Sequence, residues 1–140
     1  MSYVGFTCGA FDLLHPGHIL LFEEARKHCQ YLIVGLHVDP SLERPYKNKP
    51  IQSVFERFIQ LKGCLYIDEI IPYETDKDLL NILATQSINI RFLDESYAKT
   101  PELIVGKLFF DIKLFYTKRK HNFSSTELRD RIKAETDADK

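Results

Sequence analysis

The chain has 140 residues, enough for one domain that buries roughly two thirds of the surface its unfolded form exposes. With 44% hydrophobic residues, 28% charged residues and a formal net charge of −1, it is neither a low-complexity disordered chain nor a strongly basic nucleic-acid binder. Met1 leads into a short strand-like run, and nowhere do about 18 apolar residues run without a charge, so neither export nor membrane insertion is expected. Cys8, Cys29 and Cys64 are odd in number, far apart and in no C-x-x-C pair, which suggests neither a disulfide framework nor a zinc knuckle and fits a reducing cytoplasm.

In chain order, β-branched and aromatic runs at "SYVGFTC", "YLIVGLHV", "IDEIIPY", "INIRFL" and "KLFFDIKLFY" read as five strands. Helical periodicity fills the gaps. Leu20, Leu21, Ala25 and Cys29 share one side of a helix after Pro16-Gly17, and Phe55, Phe58, Ile59 and Leu61 share one side of the next. Leu79, Leu80, Ile82 and Leu83 mark a third, and a last helix starts near Ser124, where Glu127 three residues on has the form of a capping box. The alternation and the near-continuous apolar strands predict an α/β, Rossmann-like fold: a mainly parallel five-stranded sheet with helices on both faces. One domain covers residues 1–140, with a frayed polar tail from about 135.

Ligands of such sheets bind beyond the carboxyl ends of the strands, where strand order reverses. The first strand ends in "GAFDLLHPGH", which enters a helix near Pro16. A helix N-terminus favours an anion, and Gly9 and Gly17 would let a phosphate approach the backbone. His15 and His18, three apart, would project from the same turn and donate to one phosphate. Two other readings compete: capping and packing alone, or metal ligation, for which the neighbourhood offers no evident third ligand. Asp12 reads as a local cap, and His28, His37 and His121 are scattered. Phosphate handling accounts for the glycines, the helix start and the spacing together.

These ten residues resemble the G-x-F-D-x-x-H-x-G-H signature of the nucleotidyltransferase superfamily, in particular its small cytidylyltransferases, typified by those acting on glycerol 3-phosphate. The resemblance continues at "VFERFIQLKGCLYIDEIIPY" and at "TKRKHNFSSTELRDRI", and so covers nearly the whole chain. It implies a cytoplasmic, usually dimeric enzyme that takes a nucleoside triphosphate with Mg2+, CTP or its ATP counterpart. A phosphorylated alcohol would attack the α-phosphate and displace pyrophosphate.

Carried over residue by residue, the resemblance makes His15, His18, Lys49 and Arg119 the charge-stabilising group. Gly9, Ala10, Phe11, Ser124, Ser125 and Thr126 join His15, His18 and Arg119 around the nucleotide, and Lys47, Lys77 and Asp94 are assigned to the acceptor. Within "ERPYKNKP", which also holds Arg44, Lys49 is favoured over Lys47. Arg57 is read either as catalytic support or as a structural ion-pair partner. Where these cytidylyltransferases carry a Gly-Asp-Asp-Trp-like stretch the chain has Asp94-Glu95-Ser96-Tyr97, and Asn122 replaces a loop glycine. The altered stretch leaves base and acceptor open, with an adenylyl-transferring relative or a nucleotide-binding module without turnover as the alternatives. The basic cluster from Lys118 to His121 lacks the aromatic interleaving of a nucleic-acid platform, so phosphate binding is the expected use of it.

Overall fold

The structure is a computed structural model that describes residues 2–107 and 110–138. Five strands, β1 (Val4–Gly9), β2 (Tyr31–His37), β3 (Glu69–Tyr73), β4 (Ile90–Asp94) and β5 (Lys113–Thr117), form one sheet in the order β3-β2-β1-β4-β5. Every pairing is parallel. The chain builds outward from β1 through β2 to β3, then returns to the other side of β1 with β4, so the order reverses between β1 and β4.

Side chains alternate along these strands between two cores. Leu32, Val34, Leu36, Ile90 and Phe92 turn to one, with Phe22 and Ala25 of α1 (Pro16–Arg26) and Leu61 of α2 (Val54–Lys62). Phe6, Ile33 and Tyr73 turn to the other, with Leu79, Ile82 and Leu83 of α3 (Asp76–Thr85). Burying each such side chain contributes about 1.5–3 kcal/mol before the entropy of ordering it is subtracted. Both faces are thus covered, and no helix among the described residues is long and apolar enough to cross a membrane.

Four expectations change. Leu20 is 42% exposed, as are Phe55 (68%) and Ile59 (51%), while Arg57 and Leu61 are the buried residues of α2. Phe55 and Ile59 are four apart and form a stripe of their own, but α2 is rotated to put Arg57 against the sheet ends instead. Residues 95–106 hold two 3₁₀ turns, at Glu95–Ala98 and Pro101–Leu103, where helical periodicity was expected. The fifth strand starts only at Lys113, and residues 108–109 of its expected run lie outside the described residues. Finally, α4 (Ser125–Ala138) continues through most of the expected tail, of which residues 139–140 lie outside the description.

Arg57 is 2% exposed and makes no ion pair among the described residues. Its Nη1 donates to the carbonyls of Ala10 (3.0 Å) and His37 (2.7 Å), its Nη2 to that of Val38 (2.6 Å), and its Nε to those of Gln52 and Ser53. One guanidinium therefore ties the loop after β1, the end of β2 and the start of α2 together. Arg57→Met should lower unfolding stability by at least ~3 kcal/mol, because several buried carbonyls lose their donor at once. Urea denaturation measures this, and a loss below ~1 kcal/mol would show that the carbonyls find other partners.

Candidate active site at the switch point

Beyond β1, Phe11 and Leu13 adopt left-handed backbone angles, φ 49° and 51°, a conformation that costs bulky residues about 1–3 kcal/mol each unless their surroundings hold it. Asp12, between them, is the holding group. Its carboxylate accepts from the N–H groups of Ile51 (2.8 Å) and Gln52 (2.9 Å) and pairs with Arg129 of α4 at 2.8 Å. Burial alone would raise the Asp12 carboxyl, but those two N–H groups and Arg129 outweigh it and hold it below the usual carboxylate range. Asp12 is thus a long-range clamp and not the local cap that its position suggests.

The clamp presents α1 with its first turn open to a cleft. His15 is the N-cap residue: its Nδ1 accepts from the Gly17 N–H at 3.0 Å, while His18 Nδ1 accepts from the His15 N–H at 3.3 Å. Two imidazoles complete a capping box, and their rings stack at 3.8 Å. Capping and presentation to a ligand are therefore compatible, because a neutral ring that accepts at Nδ1 carries its proton on Nε2. Burial, then the neighbouring His15 and Arg119 charges, pushes His18 down to about 3. Burial, Arg119 and His121 lower His15 as well. Both rings are neutral Nε2–H donors at neutral pH.

Gly17 is needed for this arrangement, since a Cβ there would stand 2.8 Å from His15 Cε1 and 2.9 Å from His121 Cε1. Gly17 thus makes room for two imidazole rings. At Gly9 a Cβ would stand 3.4 Å from the Phe11 ring, an ordinary contact. Phe11 itself packs into the core against Phe22 and stands edge-on to His18.

Two cavities meet here. One, of about 580 Å³, is lined by His15, His18, Arg119, His121, Ser124 and Ser125. The other, of about 460 Å³, runs over the carboxyl ends of β1 and β4 past Gly9, Ala10, Phe11 and Thr126. His18, Asp94 and Ser125 border both. Ser124 Oγ caps α4 by accepting from the Glu127 N–H, and Ser125 Oγ donates to the Asp12 carbonyl at 2.9 Å, so both α1 and α4 open toward the cleft. Lys47 lines the second cavity; Lys49 lies outside both walls on the same exposed loop, and adds a minor share to the lowering of the Asp39 carboxyl that comes first from the Ser41 hydroxyl. Lys77 is exposed on the first turn of α3 and outside both cavities, whereas its neighbour Asp76 lines the second.

Sequence reasoning overlooked four residues. His121, read as scattered, lines the first cavity, and its Nδ1 accepts from the Phe123 N–H at 3.1 Å, leaving Nε2 as donor. Arg129 secures Asp12. Arg91 and His37, both buried, line the second cavity. For Arg91 a signal was available: a lone cation inside a strand covered on both faces.

The sequence model of the cytidylyltransferase-like family matches residues 6–131. The chain is 40% identical over 104 residues to the bifunctional protein HldE of Hyphomonas neptunium, a match that takes in 74% of this chain and 21% of that protein. It is 38% identical over 82 residues to the ethanolamine-phosphate cytidylyltransferase of Mus musculus, which takes in 54% of this chain and 20% of that one. The chain thus spans about a fifth of the length of these curated relatives. A lipopolysaccharide core biosynthesis protein from Thermoplasma volcanium superposes with a TM-score of 0.68 at 21% identity, over 89% of this chain and 100% of that one. Pantothenate synthetase from Thermus thermophilus does so with a TM-score of 0.63 at 16% identity, over 94% and 64%. These two likenesses are of fold. The chain belongs to the cytidylyltransferase-like family.

Neutral histidines leave a signature in stability. Unfolded His18 takes up a proton below 6.5, the ordinary value for an imidazole, whereas folded His18 resists protonation down to about 3. Stability is therefore expected to fall as pH drops from 6.5 toward 3. His18→Gln keeps a group able to reach back to the His15 N–H and removes the titration, so thermal melts of the unliganded protein should decline less steeply with acid. Equal slopes in both proteins would mean that His18 is not held neutral.

Proposed function

We propose that this member of the cytidylyltransferase-like family transfers CMP from CTP to a small phosphorylated alcohol and releases pyrophosphate. The carrying observation is the pair of neutral Nε2–H donors, His15 and His18, set in the first turn of α1 where the two cavities join. The family match and the ethanolamine-phosphate cytidylyltransferase relative support the reaction class. A phosphorylated alcohol such as glycerol 3-phosphate or phosphoethanolamine fits the acceptor role.

In this reading the triphosphate occupies the first cavity, with its anionic groups between the N-termini of α1 and α4 and beside Arg119. The acceptor enters the second cavity, and its phosphate oxygen attacks the α-phosphorus in line. One P–O bond forms as the bond to the β-phosphate oxygen breaks, and pyrophosphate leaves with the electron pair. The nucleophile is already ionised at neutral pH, so the protein supplies position and charge stabilisation and no covalent intermediate of its own. Lys47 lines the second cavity and Lys49 does not; we therefore assign contact with the joining phosphates to Lys47. Among the described residues no three His, Cys, Asp or Glu side chains stand together as a metal site. Because Mg2+ is commonly held by one or two carboxylates plus substrate phosphates, we propose that it enters on the triphosphate as part of the substrate. A cytoplasmic homodimer is retained in the proposal, with the exposed Phe55 and Ile59 stripe of α2 as a face that pairing would cover.

With Mg2+ and a panel of phosphorylated alcohols, pyrophosphate release is expected with CTP in preference to ATP. His18→Ala should lower kcat on the order of a hundredfold or more, as the loss of one aimed donor does. Arg119→Ala should act mainly on the KM for the nucleotide. Binding of CTP without pyrophosphate from any acceptor would convert the reading to a nucleotide-binding module.

A further inference from the structure

Arg91 has no part in the mechanism above, yet its position is chemically demanding. It is the second residue of β4, between Ile90 and Phe92, which face one core, and is paired in register with Phe6 of the other. It is 5% exposed. Nη1 donates to the Val105 carbonyl at 2.5 Å, and Nη2 reaches the Cys8 Sγ at 3.8 Å. Among the described residues it has no carboxylate within ion-pair distance. A guanidinium brings five donors and a permanent charge, and burying it so poorly matched is unfavourable unless a ligand completes the set.

Two strands away, at the carboxyl end of β2, stands His37. It is 6% exposed, stacked on Tyr73 at 4.6 Å, and its Nε2 has no hydrogen-bond partner among the described residues. Arg44 comes from the loop after β2, held at 2.6 Å by Asp76. All three line the second cavity, whose other end reaches His18 and Asp94.

We propose that Arg91, with His37 and Arg44, forms an anion-binding subsite for the acceptor; this rests on the second cavity being the acceptor's. The anion is either the acceptor's attacking phosphate or a second anionic group, such as a carboxylate, at its far end. Both present an oxygen pair to the guanidinium fork. Arg91 is then a specificity-determining residue of the acceptor pocket. If it only propped the Val105 carbonyl, its removal would change stability and leave acceptor binding alone.

The test compares the intact chain with Arg91→Leu and Arg91→Lys, varying acceptor at saturating CTP and CTP at saturating acceptor, with glycerol 3-phosphate and 3-phosphoglycerate. Arg91→Leu should raise the acceptor KM by at least about tenfold, the scale of a lost charged hydrogen bond, with Arg91→Lys in between and the KM for CTP within about twofold. A rise for both acceptors identifies the attacking phosphate as the bound anion, and a rise confined to 3-phosphoglycerate identifies the second group. An unchanged acceptor KM, or equal rises for acceptor and CTP, overturns the subsite.

A second arm stands apart from turnover. Inorganic phosphate should raise the melting temperature of His18→Ala more than that of His18→Ala/Arg91→Leu, in which only the first cavity is left to bind it. Equal effects in the two, zero included, overturn the subsite. An absence of pyrophosphate release from the intact chain with every nucleotide and acceptor overturns the transferase reading instead, and the phosphate arm then decides the subsite.

Discussion

The carbonyl-lined hole filled by the Arg57 guanidinium is the constraint on which the rest of this site depends. The carboxyl ends of parallel strands leave carbonyls pointing into the cleft, and the loops after β1 and β2 must bend away there without a helix or strand to satisfy them. A single planar cation donating to the carbonyls of Ala10, His37, Val38, Gln52 and Ser53 resolves this for three chain segments at once. It also fixes which side of α2 faces inward, and so why Phe55 and Ile59 are left outside.

From that anchor the site follows in order. Residues 51–52, positioned by the start of α2, hold the Asp12 carboxylate, which holds the left-handed turn at Phe11 and Leu13. The turn delivers His15 to the N-cap of α1, and the capping geometry occupies Nδ1 of both histidines. Their Nε2–H groups become the available donors, and burial keeps the rings neutral. Helix capping and the proposed phosphate chemistry thus use different atoms of the same two side chains.

The two cavities divide polar chemistry unevenly. The first gathers imidazoles, hydroxyls and Arg119 around two helix starts, with Glu23, Glu24 and Asp94 also in its wall, and is where the proposed triphosphate would sit. The second is walled by strand ends together with loop and helix residues, and contains the buried, poorly matched Arg91 and His37, whose Nε2 has no hydrogen-bond partner among the described residues. A polar layer at the end of an otherwise apolar sheet face has a structural cost, and a ligand that completes its hydrogen bonds offsets it.

The parallel α/β architecture was legible because strand and helix periods alternate so regularly, and the helix start at Pro16 and the capping serine at 124 were legible because each rests on local backbone chemistry. The histidine turn at the start of α1, which borders both cavities, was legible for the same reason: spacing within one turn is a local property. What the sequence did not carry was direction. Phe55 and Ile59 fit a buried stripe as well as their neighbours do, and only the packing of Arg57 against three segments selects the stripe of α2 that faces in. Asp12 pairs with Arg129 from the far end of the chain, Gly17 yields its space to His121, and Arg91 meets His37 in one cavity. Each of these depends on elements distant in sequence that the strand order β3-β2-β1-β4-β5 brings together. Local periodicity sets which elements form, but their order and rotation are set by the collective burial of apolar surface and buried polar groups.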